Sequence, residues 1–65
     1  MWSLYINKRK VMESDNRNIC LEHFQIYSRT SEVDYNKKTL TGYFFDKNKQ
    51  DYLLKTVPWD IVREV

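Results

Sequence analysis

Cys20 and His23 are the one thiol and the one imidazole in the chain, and their spacing of three decides whether they can act together. Acyl transfer by a cysteine needs a base within reach of the sulfur and a third group to hold that base. On a strand, positions three apart fall on opposite faces. On a helix the two approach, but no further group completes an oxyanion hole or orients the imidazole. The pair therefore reads as a buried thiol and a partly exposed histidine, without a nucleophilic role. It does not read as a metal centre either, because zinc takes four ligands, or three and a water. The single glycine excludes a Gly-rich phosphate loop. No cofactor and no metal are expected, and the chain reads as non-enzymatic.

Asp46 and Asp51 form the next pair, at the two ends of the segment DKNKQD. Facing carboxylates can hold a cation. Here Lys47 and Lys49 lie between them, and exposed charges beside water interact weakly. A solvated turn is the expected reading.

Basic residues come in two groups: Lys8, Arg9, Lys10 and Arg17 in one polar stretch, Lys47 and Lys49 in another. In an up-and-down meander both stretches fall at one end, just above Tyr43, Phe45 and Tyr52. A basic groove beside stacking rings is the composition of single-stranded nucleic-acid sites. Glu13, Asp15, Asp46 and Asp51 share that end and lower its potential. The net charge of +2, from eleven basic and nine acidic residues, is small for a dedicated duplex-DNA binder.

The fourth set is Tyr43, Phe45, Tyr52 and Leu54. Apolar patches rich in tyrosine inside a polar rim are typical of protein interfaces. What these residues do depends on the element that carries them. Leu40–Phe45 and Tyr52–Val57 are rich in aromatic and β-branched residues and flank the polar DKNKQD, which predicts a β-hairpin. A short loop there pairs Asp46 with Asp51, Phe45 with Tyr52, Phe44 with Leu53, Tyr43 with Leu54, Gly42 with Lys55 and Leu40 with Val57. One face then carries Leu40, Gly42, Phe44, Leu53, Lys55 and Val57. The other carries Thr41, Tyr43, Phe45, Tyr52, Leu54 and Thr56. Both faces are apolar near the turn, whereas a one-sided antiparallel hairpin shows polar residues on one. Either Trp59 and the tail cover the Tyr43 face as core, or that face is a recognition surface.

Around the hairpin, Trp2–Ile6 alternates as a half-buried strand, and Trp2 and Phe44 are expected to be largely buried together. Val11 and Met12 either extend that strand or start its return, and Glu13–Asn18 reads as a connection. Ile19–Ser28 reads as a strand on its β-branched and aromatic content. A helix over the same residues, which groups Cys20, Phe24 and Tyr27 beside Leu21, is the alternative. Arg29–Lys38 reads as a polar connection. Pro58 ends a strand or opens a helical turn, and a turn over Pro58–Asp60 followed by a strand over Ile61–Val65 is the preferred tail.

Sixty-five residues make one domain with a small core. The lone cysteine permits no internal disulfide, which suits a reducing compartment and predicts a cytoplasmic protein. No apolar run approaches a membrane span, and MWSLYI does not read as a signal peptide. Ten aromatics (two Trp, five Tyr, three Phe) supply packing in place of cross-links, with oligomerisation a further route. The expected fold is all-β, a four- or five-stranded antiparallel barrel or curved sheet, SH3-like by analogy alone. The alternative is α+β with a helix near residues 19–28. The expected function is docking on, and modulating or inhibiting, a larger protein through Tyr43, Phe45, Tyr52 and Leu54. The alternative is single-stranded nucleic-acid binding through Lys8, Arg9, Lys10, Arg17, Lys47 and Lys49.

Overall fold

The first strand, β1 (Trp2–Ile6), turns back on itself within two residues. Asn7 and Lys8 both take positive φ, 54° and 65°. Two consecutive left-handed residues are the signature of a type I′ turn, whose twist matches the strands it joins. The return strand, β2 (Arg9–Ser14), pairs Ile6 with Arg9 and Leu4 with Met12, leaving Val11 as a bulge. The computed structural model describes all residues, 1–65.

Asn16 caps the following helix, its side-chain Oδ1 accepting the Asn18 amide at 2.9 Å. Such a cap satisfies one of the orphan donors at a helix start. The helix, α1 (Arg17–Ser28), buries Cys20, Phe24 and Ser28, an i, i+4, i+8 stripe with Leu21 partly buried beside it. This corrects the strand expected over Ile19–Ser28 in favour of the α+β alternative. The apolar residues that favour a strand there, Ile19, Ile26 and Tyr27, are exposed. Twelve residues are marginal as an isolated helix, so the buried stripe, not propensity, holds α1 in place.

Three strands complete the sheet: β3 (Glu32–Asp34), β4 (Thr39–Asp46) and β5 (Asp51–Arg63). All pairings are antiparallel and the order is β2-β1-β5-β4-β3. The helix carries the chain from one edge strand to the other. Because β2 and β3 both remain edges, the sheet is open, which corrects the barrel expectation.

β5 organises the molecule. Residues 51–58 pair with β4 and residues 59–63 with β1, so its two partners are staggered along its length. Pro58 sits at the changeover. It is the last β5 partner of β4, opposite Thr39, and its carbonyl accepts the Asn7 amide at 2.7 Å. A proline has no N–H to lose at such a point. The strand therefore runs through Pro58 without the turn expected at Pro58–Asp60.

The core lies between α1 and one sheet face: Leu4, Ile6, Cys20, Phe24, Leu40, Val57, Trp59 and Ile61. Trp59 stacks on Phe24 and donates from Nε1 to the Thr39 carbonyl at 3.1 Å, which satisfies its one polar atom. Trp2 and Phe44, expected to be largely buried, are only partly so. Trp2 lies at the margin of the helix, under the Arg17 guanidinium, whose Cζ is 5.9 Å from the ring centroid. Phe44, on the hairpin, packs against the margin of the core and shares a recess with Ile6 of β1 and Tyr27 of α1.

Candidate functional site

The hairpin register is the one the sequence predicts, from Leu40 opposite Val57 to Asp46 opposite Asp51. Lys47–Gln50 form the loop. Asp46 shapes it: Oδ1 accepts the Asn48 and Lys49 amides at 2.8 and 3.3 Å. Its other oxygen lies 3.8 Å from Lys55 Nζ, and Asp51 Oδ1 accepts the Tyr52 amide at 2.8 Å. Both carboxylates thus act on the turn and its neighbours.

β3 pairs with β4 only from Thr39 to Thr41. Beyond Thr41 the two hairpin strands have only each other as partners, and they project from the body as an arm. The molecule is accordingly elongated, 38 × 21 × 19 Å. On one side of the arm, Leu40, Gly42 and Val57 are buried and Phe44 and Leu53 partly so. On the other, Tyr43 (71%), Phe45 (54%), Tyr52 (64%) and Leu54 (62%) stand exposed and contiguous. Phe45 meets Tyr52 edge-on across the strands, ring centroids 5.4 Å apart. Trp59 is part of the core beneath α1 and does not cover this face.

The surroundings of the patch are polar. Thr41 and Thr56 share a 2.8 Å hydroxyl hydrogen bond at its base. Glu32, paired with Thr41, lies on the same face. A notch of about 230 Å³ opens there, lined by Thr30, Glu32, Thr41, Gly42, Tyr43 and Leu54. Lys47 and Lys49 stand in the loop at the other end. Asp46 and Asp51 follow the alternation to the opposite face, with Lys55. No ion pair within the chain engages Glu32, Lys47 or Lys49.

The six basic residues do not gather. Lys8 lies in the turn level with Pro58, and the hairpin mouth at Asp51 is seven residues further along β5, about 23 Å away at the rise of a strand. Arg9 and Lys10 follow on β2, where Lys10 Nζ contacts Glu13 at 3.3 Å and Glu64 at 3.4 Å. Arg17, over Trp2, belongs to the far end of β1. The single basic end expected of a meander is absent because β1 and β4 take staggered lengths of β5.

Cys20 is fully buried, its Sγ donating to the Trp2 carbonyl at 3.5 Å, while His23 is exposed on the outer side of α1. No group of three or more His, Cys, Asp or Glu side chains comes together as a metal site. A polar cluster links the terminus of β5 to β1 and β2. Tyr5 Oη donates to Glu64 at 3.1 Å, and the buried Ser3 hydroxyl approaches the same carboxylate without completing a hydrogen bond of good geometry. The Ser3 and Tyr5 hydroxyls, then Lys10, hold Glu64 below the usual carboxylate range. Desolvation and then Glu64 push the Tyr5 phenol up. The Glu13 hydrogen bond is the main cause that raises Lys10. This cluster ties the end of the chain to β1 and β2. No helix is long and apolar enough to cross a membrane.

What sequence reasoning missed is Glu32, which β3 brings beside the patch; the polar run around it gives no strand signal. Comparison of the chain with family models, with curated proteins and with solved structures finds no match.

Proposed function

We propose that the chain is a small non-enzymatic binding protein that docks on a larger protein through Tyr43, Phe45, Tyr52 and Leu54, and modulates or blocks that partner. The observation that carries the reading is the placement of four large apolar side chains, each more than half exposed, on an arm outside the core. Exposing a contiguous apolar patch of this kind has a cost in water and is characteristic of interaction sites. Aromatic side chains in the middle of such patches supply most of the affinity. The lone buried Cys20 fits a reducing, cytoplasmic setting.

The test compares the wild-type chain with Tyr52→Ala and Phe45→Ser as baits in nuclease-treated native lysate. A stoichiometric protein partner should be retained by the wild type and weakened by ~2 kcal/mol or more in Tyr52→Ala, with the melting temperature of the bait unchanged. Binding that disappears with nuclease, or that depends on Lys8 and Lys47 instead of Tyr52, would replace this reading with nucleic-acid recognition.

A further inference from the structure

We infer that, in the absence of its partner, the chain closes the aromatic face of the arm on a second copy of itself, with the two arms antiparallel and Glu32 of each opposite Lys47 of the other. The inference rests on the reading of this face as a docking surface and specifies what covers it when nothing else does.

The argument is one of symmetry and charge. A two-fold interface must be self-complementary. Take an axis across the arm at the Phe44–Leu53 row, lying in the plane between two facing arms. Rotation sets β4 over β4 and β5 over β5, each pair running in opposite directions. Tyr43, one residue from the axis, then faces Phe45 of the second copy, and Leu54 faces Tyr52. Glu32 pairs with Thr41, three residues from the axis on the body side. Lys47 is three residues from it on the loop side, at the end of β4, about 5 Å to the side of the Glu32 line, one strand spacing that a lysine side chain spans. The operation therefore sets an acidic group against a basic one at both ends of the apolar centre. Neither group has an ion-pair partner within its own chain. Asp46 and Asp51, which would repel Glu32, follow the alternation to the opposite face, where Asp46 is engaged by Lys55. The notch beside Glu32, about 230 Å³, gives the second copy's Lys47 or Phe45 a recess to enter.

The area sets the strength. The four exposed side chains offer roughly 500 Å² per copy, taking about 200 Å² for a full aromatic side chain. With the threonines and the charged ends, the pair reaches about 1,200 Å², the lower limit of specific interfaces. Two sheets about 10 Å apart with strands nearly aligned is an ordinary sandwich geometry. Such a dimer is concentration-dependent and weak enough for a partner to displace.

The experiment is sedimentation equilibrium of the purified chain from about 10 μM to about 1 mM, the range that brackets a weak dimer. The wild type should pass from monomer to dimer and stop there. Tyr52→Ser should remain monomeric. Glu32→Lys and Lys47→Glu should each raise the dissociation constant about tenfold, and the double exchange should restore it, as coupled neighbours do. All three positions are exposed, and circular dichroism confirms that each variant is folded. A chain monomeric throughout overturns the inference. So does a dimer indifferent to Tyr52, or one in which the double exchange is no better than the singles. A monomer that still retains a protein through Tyr52 overturns the dimer and leaves the docking reading standing. A charge-coupled dimer that retains no protein does the reverse.

Discussion

Phe24 of the helix lies nearly flat on Trp59 of β5, ring centroids 4.1 Å apart and planes 27° from parallel. This contact fastens the only helix to the strand on which both β1 and β4 pair. Tyr35 closes the other side of Trp59 edge-on at 5.6 Å. Phe24 is fully buried, whereas Phe44 is not. The large loss on truncation therefore belongs to Phe24. Phe24→Ala should cost about 3–5 kcal/mol, the range for a core aromatic replaced by alanine. Chemical denaturation of the two alanine variants checks this. An equal or larger loss for Phe44→Ala would place the mechanical centre in the arm instead.

Gly42 makes a second close approach. A Cβ at this position would overlap the Ser31 hydroxyl and press on the Ser31 Cβ. Ser31 is itself anchored, its amide donating to the Ser28 carbonyl at 2.8 Å. Gly42→Ala should therefore destabilise by ~1–3 kcal/mol, as overpacking does. The same change made in a Ser31→Gly background should cost clearly less, because the two residues compete for one space. Additive losses in the double-variant cycle would mean that Gly42 is needed for some other reason.

The hairpin is legible in the sequence because two apolar runs bracket a single polar hexapeptide, and the short loop that pairs Asp46 with Asp51 keeps Leu40, Phe44, Leu53 and Val57 on one face. The helix is not. Ile19, Ile26 and Tyr27 have strand-forming side chains, yet they are exposed on α1, and the stripe of Cys20, Phe24 and Ser28 that decides the matter includes a serine. β2 is hidden for a related reason. It is an edge strand, and Arg9, Lys10, Val11 and Glu13 are all exposed, so it has no apolar alternation to read. Its turn, Asn7–Lys8, lacks the glycine that usually marks the type. The aromatic surface is legible because both hairpin faces are apolar in a chain too short to cover both. Its acidic neighbour Glu32 depends on β3, three residues long, for which local sequence carries no signal.

Acid should loosen the end of β5 first. Glu64 is held below its ordinary value of 4.5, chiefly by the Ser3 and Tyr5 hydroxyls. A carboxylate with a depressed folded pKa adds stability that is present above its unfolded value and lost as pH falls through the folded one. Tyr5 and Lys10 are shifted upward. Their contributions are present below their unfolded values and lost as pH rises through the folded ones. Stability should therefore fall on both sides of a neutral plateau. Glu64→Gln should flatten the acid limb that sets in as pH falls below the ordinary carboxylate value, while also lowering the plateau. Melting curves across that limb decide it: a variant with the wild type's acid slope would remove Glu64 from the account.

The arm should open without the body. Beyond Thr41 it is a two-stranded ribbon, and isolated ribbons of this kind are marginally stable in water. Its one packed side has Gly42 at its base and then only the partly buried Phe44 and Leu53, whereas Leu4, Ile6 and Ile61 are held beneath the helix. Local opening energies follow the density of buried contacts. Hydrogen-bonded amides in 43–46 and 51–54 should therefore exchange through local opening, well before those of β1 and of residues 59–63. The measurement is hydrogen exchange on dilute protein, where copies do not associate. Phe24→Ala then discriminates sharply. It should lower protection in β1 and the end of β5 by its full loss of stability and leave the arm unchanged. If arm and body exchange at one rate and lose protection together, the molecule opens as a single unit, and the hairpin is not a separable arm.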